Sequence, residues 1–406
     1  MRNALLLLLI VSFLSGYAQK MKEVNKNLQK LTSHFFAGRG YVKAGDTKAA
    51  KYISKKFHEY GLEKIENSYN QPYTFAVNTY PKKVKLSVNG LKLIPGNDFV
   101  IKSNTIAASG TFPCLYLPLS DAEKEQNLSE YFLVGNKEYK ELSKENLFSA
   151  KGFIFLKENQ PIWSVYGSSD TTKYIVFYID ESSLTDSIKE IQFEFENKYY
   201  PNYKTQNIWG FVKGKSYPDS LIIISAHYDH LGMMGNIIYP GANDNASGTA
   251  MLMELANYFS QKENQPEISV MFTLFSGEEA GLKGSKYMAS HFPFDKEKVQ
   301  LLINLDMVAT GSEGITIVNG KQFPEVFEAF ETINKKNDYL PNIKVRGESC
   351  NSDHCPFYEK GIPAIFIYTR GPEATAYHIP QDNYQSLPLT KFSELFLLVR
   401  DFIERD

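Results

Sequence analysis

Four short apolar runs in the second half of the chain constrain its fold more than any other feature. Polar residues hardly interrupt them, and runs of this length suit strands buried on both faces of a sheet. They occupy residues 221–226, 269–275, 301–305 and 364–368. Helical patterns alternate with them at residues 246–259, 284–291, 324–335 and 391–403. The alternation predicts an α/β fold in which helices flank a mostly parallel central sheet.

Residues 83–200 show a different pattern, in which short alternating runs are separated by turn residues such as Asn89-Gly90. This pattern indicates β-strands. With 406 residues, the chain is also long for a single domain. We therefore expect a β-rich insertion at 83–200. It divides the main domain into an N-terminal part at 19–82, which has a helical pattern over 46–62, and the remainder at 201–406.

The first 18 residues are predicted to be a signal peptide. Arg2 gives a positive start, residues 4–14 are apolar apart from Ser12, and Gly16 and Ala18 supply the small residues of a cleavage site. The apolar run is too short to span a bilayer, so a secreted or periplasmic protein without a stable membrane span is expected. A net charge of −2 without a basic patch argues against a nucleic-acid partner. The sequence leaves the oligomeric state open.

Acidic and imidazole side chains follow three of the four apolar runs. His227 comes directly after the first run and Asp306 directly after the third, while Glu278 and Glu279 follow the second run after a two-residue turn. In α/β sheets, ligands bind in the crevice beyond the carboxyl ends of the strands. We therefore expect these side chains to meet at one edge of the sheet.

Two further positions complete a set of potential metal ligands. Asp244 lies in GANDNASG before a helix, and His378 lies in the polar loop YHIPQDN. Two imidazoles with several carboxylates form a ligand set that suits zinc or a similar divalent ion. The set is too large for one ion, whereas a two-metal hydrolytic site requires a shared carboxylate and a further acidic side chain as base.

Each position also has a plainer interpretation. Aspartate is common at the start of a helix, adjacent glutamates often form a solvated turn, and a lone histidine is often buried in a core. The buried run before Glu278 and Glu279 favours the functional interpretation, as does Asp229, two residues after His227. Asp229 lies on the same side of an extended segment as His227 and can accept a hydrogen bond from its second ring nitrogen.

The remaining histidines and the cysteines are less informative. His354 is expected to line the cleft or to hold a supporting hydrogen bond, and neither it nor His230 is expected to bind a metal directly. Cys350 and Cys355 either close a tight loop in an oxidising compartment or are two buried thiols, and the sequence leaves both open. Cys114 is expected in a core.

The ordered motifs HYD, GANDNASG, GEEAG, NLDM, SDHxPF with GIPA, and YHxPxD resemble those of the two-zinc exopeptidase family of secreted bacterial aminopeptidases and glutamate carboxypeptidase. The likeness covers residues 205–406, and Gly38-Arg39 is similar to part of that family's N-terminal lead-in. It implies a mixed, mostly parallel central sheet flanked by helices. The insertion at 83–200 occupies the place where many relatives carry a protease-associated domain.

The resemblance also implies two zinc ions per chain. His227 and Asp306 would hold one ion, and Glu279 and His378 the other. Asp244 would bridge the two ions, and the peptide bond that follows it is expected to be cis.

The activity implied is hydrolysis of peptide bonds near a free terminus of a peptide substrate, most simply by an aminopeptidase. A hydroxide between the metals would attack the scissile carbonyl, with Glu278 as general base and Asp229 orienting His227. Some relatives place an oxyanion-stabilising tyrosine before the SDH element. This chain has Glu348-Ser349-Cys350 there, so His354 and Tyr377 are the candidates for that role.

Other functions fit the same motifs. They are a carboxypeptidase or dipeptidase of the same family, a one-zinc glutaminyl cyclase-like acyltransferase, and a non-catalytic binding module on the same fold. Arg370 bears on the choice, because it either binds a substrate carboxylate or pairs with Glu373, and we favour the pairing.

Overall fold

The structure is a computed structural model that describes residues 21–116, 128–135, 146, 148–168, 172 and 174–405. The predicted signal peptide lies outside these residues. The helices are α1 (21–31), α2 (Gly45–Tyr60), α3 (Gly248–Phe259), α4 (Lys283–Ser290), α5 (Pro324–Asn337), α6 (Cys355–Tyr358) and α7 (Phe392–Ile403). Short 3-10 helices lie at His34–Arg39, Glu181–Ser183, Lys262–Asn264, Lys296–Lys298 and Tyr384–Ser386. No helix in these parts of the chain has both the length and the apolar character needed to cross a membrane.

The strands divide between two large sheets and one hairpin. In chain order they are β1 (Asn70–Thr79), β2 (Lys85–Val88), β3 (Leu91–Leu93), β4 (Phe99–Ile101), β5 (Ala108–Leu115), β6 (Phe132–Gly135), β7 (Gly152–Lys157), β8 (Ile175–Asp180), β9 (Glu190–Phe195), β10 (Lys198–Val212), β11 (Tyr217–His227), β12 (Gly232–Met234), β13 (Ile237–Tyr239), β14 (Ile268–Phe275), β15 (Val299–Leu305), β16 (Ile315–Val318), β17 (Ile343–Val345) and β18 (Ala364–Thr369).

The main sheet has the strand order β1-β10-β14-β11-β15-β18-β16-β17. Four of its seven strand pairings are parallel, including the three that join β14, β11, β15 and β18 at its centre. These central strands contain the four apolar runs, and every residue of β14 except its first is buried. The predicted fold class, a mixed and mostly parallel sheet flanked by helices, is confirmed.

Helices cover the main sheet because their apolar residues repeat at helical spacing. Ala49, Ile53 and Phe57 of α2 pack in the same core cluster as α3 and α7. Gly61 directly follows the last residue of α2. Gly61 has a left-handed backbone conformation and donates its N–H to carbonyls of the last turn, as a C-terminal capping glycine does.

The second sheet is formed by β2 to β9, all of which lie between residues 83 and 200, in the order β3-β2-β9-β5-β6-β7-β8-β4. Its core is rich in aromatic rings, among them Phe132, Phe177 and Phe193. The same core includes Met234 and Tyr239 of the β12–β13 hairpin. The second sheet therefore packs against the chain just beyond the end of β11, where the candidate ligands begin. The exact domain boundaries stay a prediction.

Candidate metal centre

The carboxyl ends of β11, β14 and β15 deliver candidate ligands to one edge of the main sheet. His227 is the last residue of β11, and Asp306 directly follows β15. Glu278 and Glu279 follow β14 after two residues. Because β11 lies between β14 and β15 and is parallel to both, the three ends are adjacent.

The first group of ligand atoms surrounds His227. Its Nε2 lies 3.4 Å from Oδ1 of Asp244 and 3.4 Å from Oδ1 of Asp306. Atoms that share a tetrahedral zinc ion lie about 3.3 Å apart, since each bond is about 2.0 Å long. The spacing therefore fits a zinc ion.

The second group lies on the other side of Asp244. Nε2 of His378 is 3.1 Å from Oδ2 of Asp244 and 3.2 Å from Oε2 of Glu279. The two carboxylate oxygens of Asp244 thus face two different histidines. This is the arrangement that a carboxylate bridging two cations requires.

His230 also belongs to the second group, which the sequence analysis did not expect. Its Nδ1 lies 2.6 Å from Oε1 of Glu279, and it forms a potential metal-binding group with Asp244 and Glu279. The spacing in HYDH, with two histidines three residues apart, is a signal that could have indicated this. Gly241 allows the approach, because a Cβ there would lie 2.3 Å from the His230 ring.

The electrostatics of the centre favour a cation. Nε2 of His230 and Oδ1 of Asp306 are buried and have no hydrogen-bond partner. Burial alone would lower the pKa of His227, but the carboxylates of Asp306 and Glu278 raise it well above its ordinary value. Buried charges of one sign are costly unless they are paired or coordinate a metal. The donor set and its unpartnered atoms therefore fit zinc.

Asp229 connects His227 to the loop that carries the two glutamates. Nδ1 of His227 is 3.1 Å from the Asp229 carbonyl oxygen and 3.7 Å from its Oδ1, so the backbone oxygen is the nearer partner. The Asp229 carboxylate accepts hydrogen bonds from the Glu278 N–H at 3.2 Å and from the Tyr41 hydroxyl at 2.6 Å. An acceptor facing Nδ1 fixes the ring tautomer and leaves Nε2 free for a metal.

A buried chain of side chains holds Asp306. Ser352 donates its hydroxyl to Oδ2 of Asp306 at 2.7 Å, and it accepts from the amide of Asn304 at 2.9 Å. Ser225 in turn donates to Asn304 at 2.9 Å. Oδ1 of Asp306 has no hydrogen-bond partner and remains available for the first group. Sequence analysis did not assign Ser352 this role.

The turn that carries Asp244 is held from two sides. The Asp244–Asn245 peptide bond is cis, as expected. On one side, the carboxylate of Asp382 accepts the N–H groups of Asn243 and Asp244 at 2.8 and 3.1 Å. On the other side, the buried guanidinium of Arg39 donates to the Gly241 carbonyl at 2.6 Å. Both supports come from distant parts of the chain.

The structure also shows the surroundings of His354 and Tyr377, the two candidates for oxyanion stabilisation, and of the three cysteines. Nε2 of His354 is 2.8 Å from the Ser349 carbonyl oxygen, and burial lowers the pKa of His354 to about 4. Tyr377 stacks on His378 with ring centroids 3.9 Å apart. Cys350 and Cys355 form a disulfide, and Cys114 is buried with a free thiol.

The prediction that Arg370 pairs with Glu373 is wrong. Its guanidinium lies 3.4 Å from Oε2 of Glu313, and it also donates to the Glu313 backbone carbonyl. Glu373 instead accepts the N–H of Ser312 at 2.9 Å. The two acidic residues lie on different loops, and the sequence gives no means of telling which one faces the arginine.

Part of this chain is similar in sequence to known proteins. Residues 207–403 match the model of peptidase family M28. The chain is 33% identical over 203 residues to the aminopeptidase YwaD of Bacillus subtilis. This alignment covers 47% of this chain and 42% of that protein. It is 26% identical over 301 residues to the probable aminopeptidase YDR415C of Saccharomyces cerevisiae. This alignment covers 69% of this chain and 79% of that protein.

Solved structures show the same fold. BSAP, a zinc aminopeptidase from Bacillus subtilis, superposes with a TM-score of 0.72 at 21% identity, covering 94% of this chain and 93% of the other. A peptidase M28 precursor from Shewanella amazonensis superposes with a TM-score of 0.71 at 16% identity, covering 95% and 96%. The resemblance found in the motifs is thereby confirmed. Residues 207–403 of this chain belong to peptidase family M28.

Proposed function

We propose that this protein is a zinc-dependent exopeptidase, specifically an aminopeptidase that holds two zinc ions. The observation that carries the proposal is the position of Asp244, whose two oxygens face His227 and His378 at 3.4 and 3.1 Å. Each oxygen belongs to a separate group of three or more ligand atoms. The relatives named above as aminopeptidases support the choice of reaction.

In the proposed mechanism, the zinc ions and Glu278 have separate roles. When bound, the zinc ions activate a water molecule and polarise the scissile carbonyl. Glu278 accepts the proton of the attacking water and passes it to the leaving amine. Burial, together with the carboxylates of Asp353 and Glu279, raises the pKa of Glu278 well above its ordinary value, although the charge of His227 opposes this. A carboxylate with a raised pKa is a stronger base toward the attacking water.

Neither Arg370 nor Arg39 offers a free cation to a substrate carboxylate, which favours a free amino terminus over a free carboxyl terminus as the recognised group. A substrate carboxylate would need a free cation. Arg370, the side chain considered for that role, faces Glu313, and Arg39 is buried and donates to backbone carbonyls. A carboxypeptidase is therefore less well supported.

An acyltransferase and a non-catalytic module also fit the centre less well. A one-zinc acyltransferase does not require a second complete ligand group, yet Asp244 and Glu279 lie 3.1 and 3.2 Å from Nε2 of His378, and His230 contacts Glu279. A non-catalytic module does not need to keep both groups intact. Metal stoichiometry distinguishes the one-zinc acyltransferase from a two-zinc enzyme, and turnover distinguishes the non-catalytic module from either enzyme.

We expect the purified protein to contain two zinc ions and to release amino acids only from substrates with a free amino terminus. The measurement combines metal analysis with a panel of aminoacyl fluorogenic substrates, the same substrates with a blocked amino group, and dipeptides blocked at the carboxyl end. A chelator should abolish turnover, and added zinc should restore it. One zinc ion at full activity, or cleavage of amino-blocked peptides from the carboxyl end, would contradict the proposal.

We also propose that residues 1–18 direct export and are removed. The disulfide between Cys350 and Cys355 supports an oxidising compartment, since such bonds seldom persist in the cytosol. The expected result is that protein recovered from the periplasm or medium begins at Gln19, as measured by intact mass and N-terminal sequencing. Deletion of residues 2–18 should keep the protein in the cytoplasm, and unprocessed cytoplasmic protein in the wild type would contradict the proposal.

A further inference from the structure

One segment of the β-rich unit at residues 83–200, which contains the second sheet and is called the second sheet's unit below, reaches the candidate metal centre. Residues 160–168, which we call the insert segment, lie between β7 and β8 of the second sheet. Trp163 in this segment donates its backbone N–H to the carbonyl of His378 at 3.1 Å. In return, Nδ1 of His378 lies 3.0 Å from the carbonyl oxygen of Trp163. The two residues are thus joined by a reciprocal pair of contacts, although 215 positions separate them.

The contact at Nδ1 bears directly on the other ring nitrogen of His378. An Nδ1–H that donates to a carbonyl fixes the tautomer in which Nε2 keeps its lone pair. Nε2 is the atom that lies beside Asp244 and Glu279. His378 also has a left-handed backbone conformation, with φ of +55°. A residue with a Cβ keeps such a conformation only where its surroundings hold it.

Trp163 is itself firmly held by the second sheet's unit. Its side chain is 3% exposed, and its indole N–H donates to the Ile101 carbonyl at 3.1 Å. The indole ring lies 5.0 Å from the ring of Tyr239, within the core of the second sheet. The position of the Trp163 carbonyl is therefore set by the packing of that unit.

Further contacts tie the insert segment to both loops of the second ligand group. Gln160 donates to the side chain of Gln381 at 2.9 Å, in the loop that carries His378. Gln381 in turn donates to Asn97 of the second sheet's unit at 3.0 Å. At the other end, a Cβ on Gly167 would lie 2.3 Å from the carbonyl oxygen of Ala280, the residue after Glu279.

We propose that Trp163 is a positioning residue for the second zinc site, so that the inserted β-rich unit supplies the outer partner of the ligand His378. The inference rests on the proposed function in so far as His378 binds zinc there. It assigns the inserted unit a part in assembling the metal centre. Loosening Trp163 should lower the affinity of the second site and leave the first site unchanged.

The test compares the two tryptophans of the chain. Trp163→Phe removes the indole N–H that anchors the insert segment. Trp209→Phe is the matched control, because Trp209 is also buried and donates its indole N–H to a backbone carbonyl, that of Ser68, at 3.0 Å. His378→Ala serves as a reference that identifies which of two zinc dissociation constants belongs to the second site.

Zinc affinities are measured by competition with a chromophoric chelator, and cobalt replaces zinc to record the absorption of each site. Trp163→Phe keeps the backbone carbonyl but removes its anchor, so it is expected to weaken the second site by up to about 10-fold, the lower end of what loss of an outer partner causes, and to change the cobalt spectrum of that site. Trp209→Phe is expected to lower only the thermal unfolding midpoint. Gln381→Ala, at an exposed position, should weaken the second site less and should not affect folding.

The outcomes separate the inference from the proposed function. Two bound ions in the wild type with unchanged affinities in Trp163→Phe would overturn the inference alone. An equal loss in Trp209→Phe would do the same, since the effect would then come from general destabilisation. A wild type that binds a single ion would overturn both the two-zinc proposal and the inference. If Trp163→Phe does not fold, unchanged affinity in a Gln160→Ala, Gln381→Ala double variant overturns the inference.

Discussion

Replacing Glu278 by glutamine is expected to lower kcat by about 10² or more while both zinc ions remain bound. Losses of about 10²–10⁴ are typical when a general base is removed. Glutamine has the shape of glutamate but cannot accept the proton at neutral pH. The backbone N–H of Glu278, which bonds to Oδ1 of Asp229, is unaffected by the change. The loop should therefore keep its position, and the defect should be confined to proton transfer.

The neighbouring glutamate provides the matched control. Glu279→Gln is the same substitution one residue along, but Glu279 has one oxygen 2.6 Å from Nδ1 of His230 and the other 3.2 Å from Nε2 of His378. This variant is expected to lose affinity for one zinc ion, and its activity should recover in part at high zinc concentration.

The measurement is kcat together with metal content for both variants, over a range of zinc concentrations. Glu278→Gln should hold two ions at every zinc concentration that saturates the wild type and should gain no activity from more zinc. Near-normal turnover in this variant would remove Glu278 from the role of base. Loss of an ion would instead place Glu278 among the ligands and require a different base.

The centre of the main sheet was predictable because its strands are buried on both faces. Each of the four apolar runs lies in a central strand, and the helices between them begin and end within a few residues of the prediction. The outer strands β1, β10, β16 and β17 were not predicted. β1 alternates between exposed and buried residues and starts with Asn70-Gln71, while β16 and β17 contain only four and three residues. Their pairing depends on neighbours that a local pattern does not reveal.

The convergence of side chains at the candidate metal centre could be predicted from the sequence only for residues that adjoin the ends of central strands. His227 and Asp306 each adjoin a central strand, so adjacency of the strands brings them together. The supports of the ligands were not predictable, because they come from distant parts of the chain. Ser352 is 46 residues from Asp306, and Trp163 is 215 residues from His378. A backbone carbonyl such as that of Trp163 has no signature in the sequence at all.

Arg39 shows how much depends on one such distant contact. It is fully buried, and its guanidinium donates to carbonyls on three separate segments. The acceptors are Tyr228 at 2.8 Å, Leu31 at 3.2 Å, Pro240 at 2.6 Å, Gly241 at 2.6 Å and Asp244 at 3.5 Å. Burial lowers the pKa of Arg39 to about 10, against the effect of nearby carboxylates led by Asp382, so it remains a cation at neutral pH. It thereby joins α1 to the turn that carries Asp244.

Replacing Arg39 by methionine is expected to lower the free energy of unfolding by about 3–5 kcal/mol, as removal of one partner from a buried charge arrangement does. Several carbonyls would lose their donors, and the carboxylates of Asp244 and Asp382 would lose a neighbouring cation. Because both ligand groups share Asp244, the affinities of both zinc sites should fall together. This distinguishes the variant from Trp163→Phe, which should affect one site only.

Arg39→Lys is the control, because it keeps the positive charge but lacks the planar fork that reaches several acceptors at once. It should lose less stability than the methionine variant, about 1–3 kcal/mol, in line with the loss of donors alone. Urea unfolding in the presence of chelator measures the stability of the protein without bound metal, and chelator competition measures the zinc affinities. Equal stability of Arg39→Met and the wild type would show that the turn holds Asp244 without the guanidinium. A loss at one zinc site only would show that Asp244 does not serve both ions.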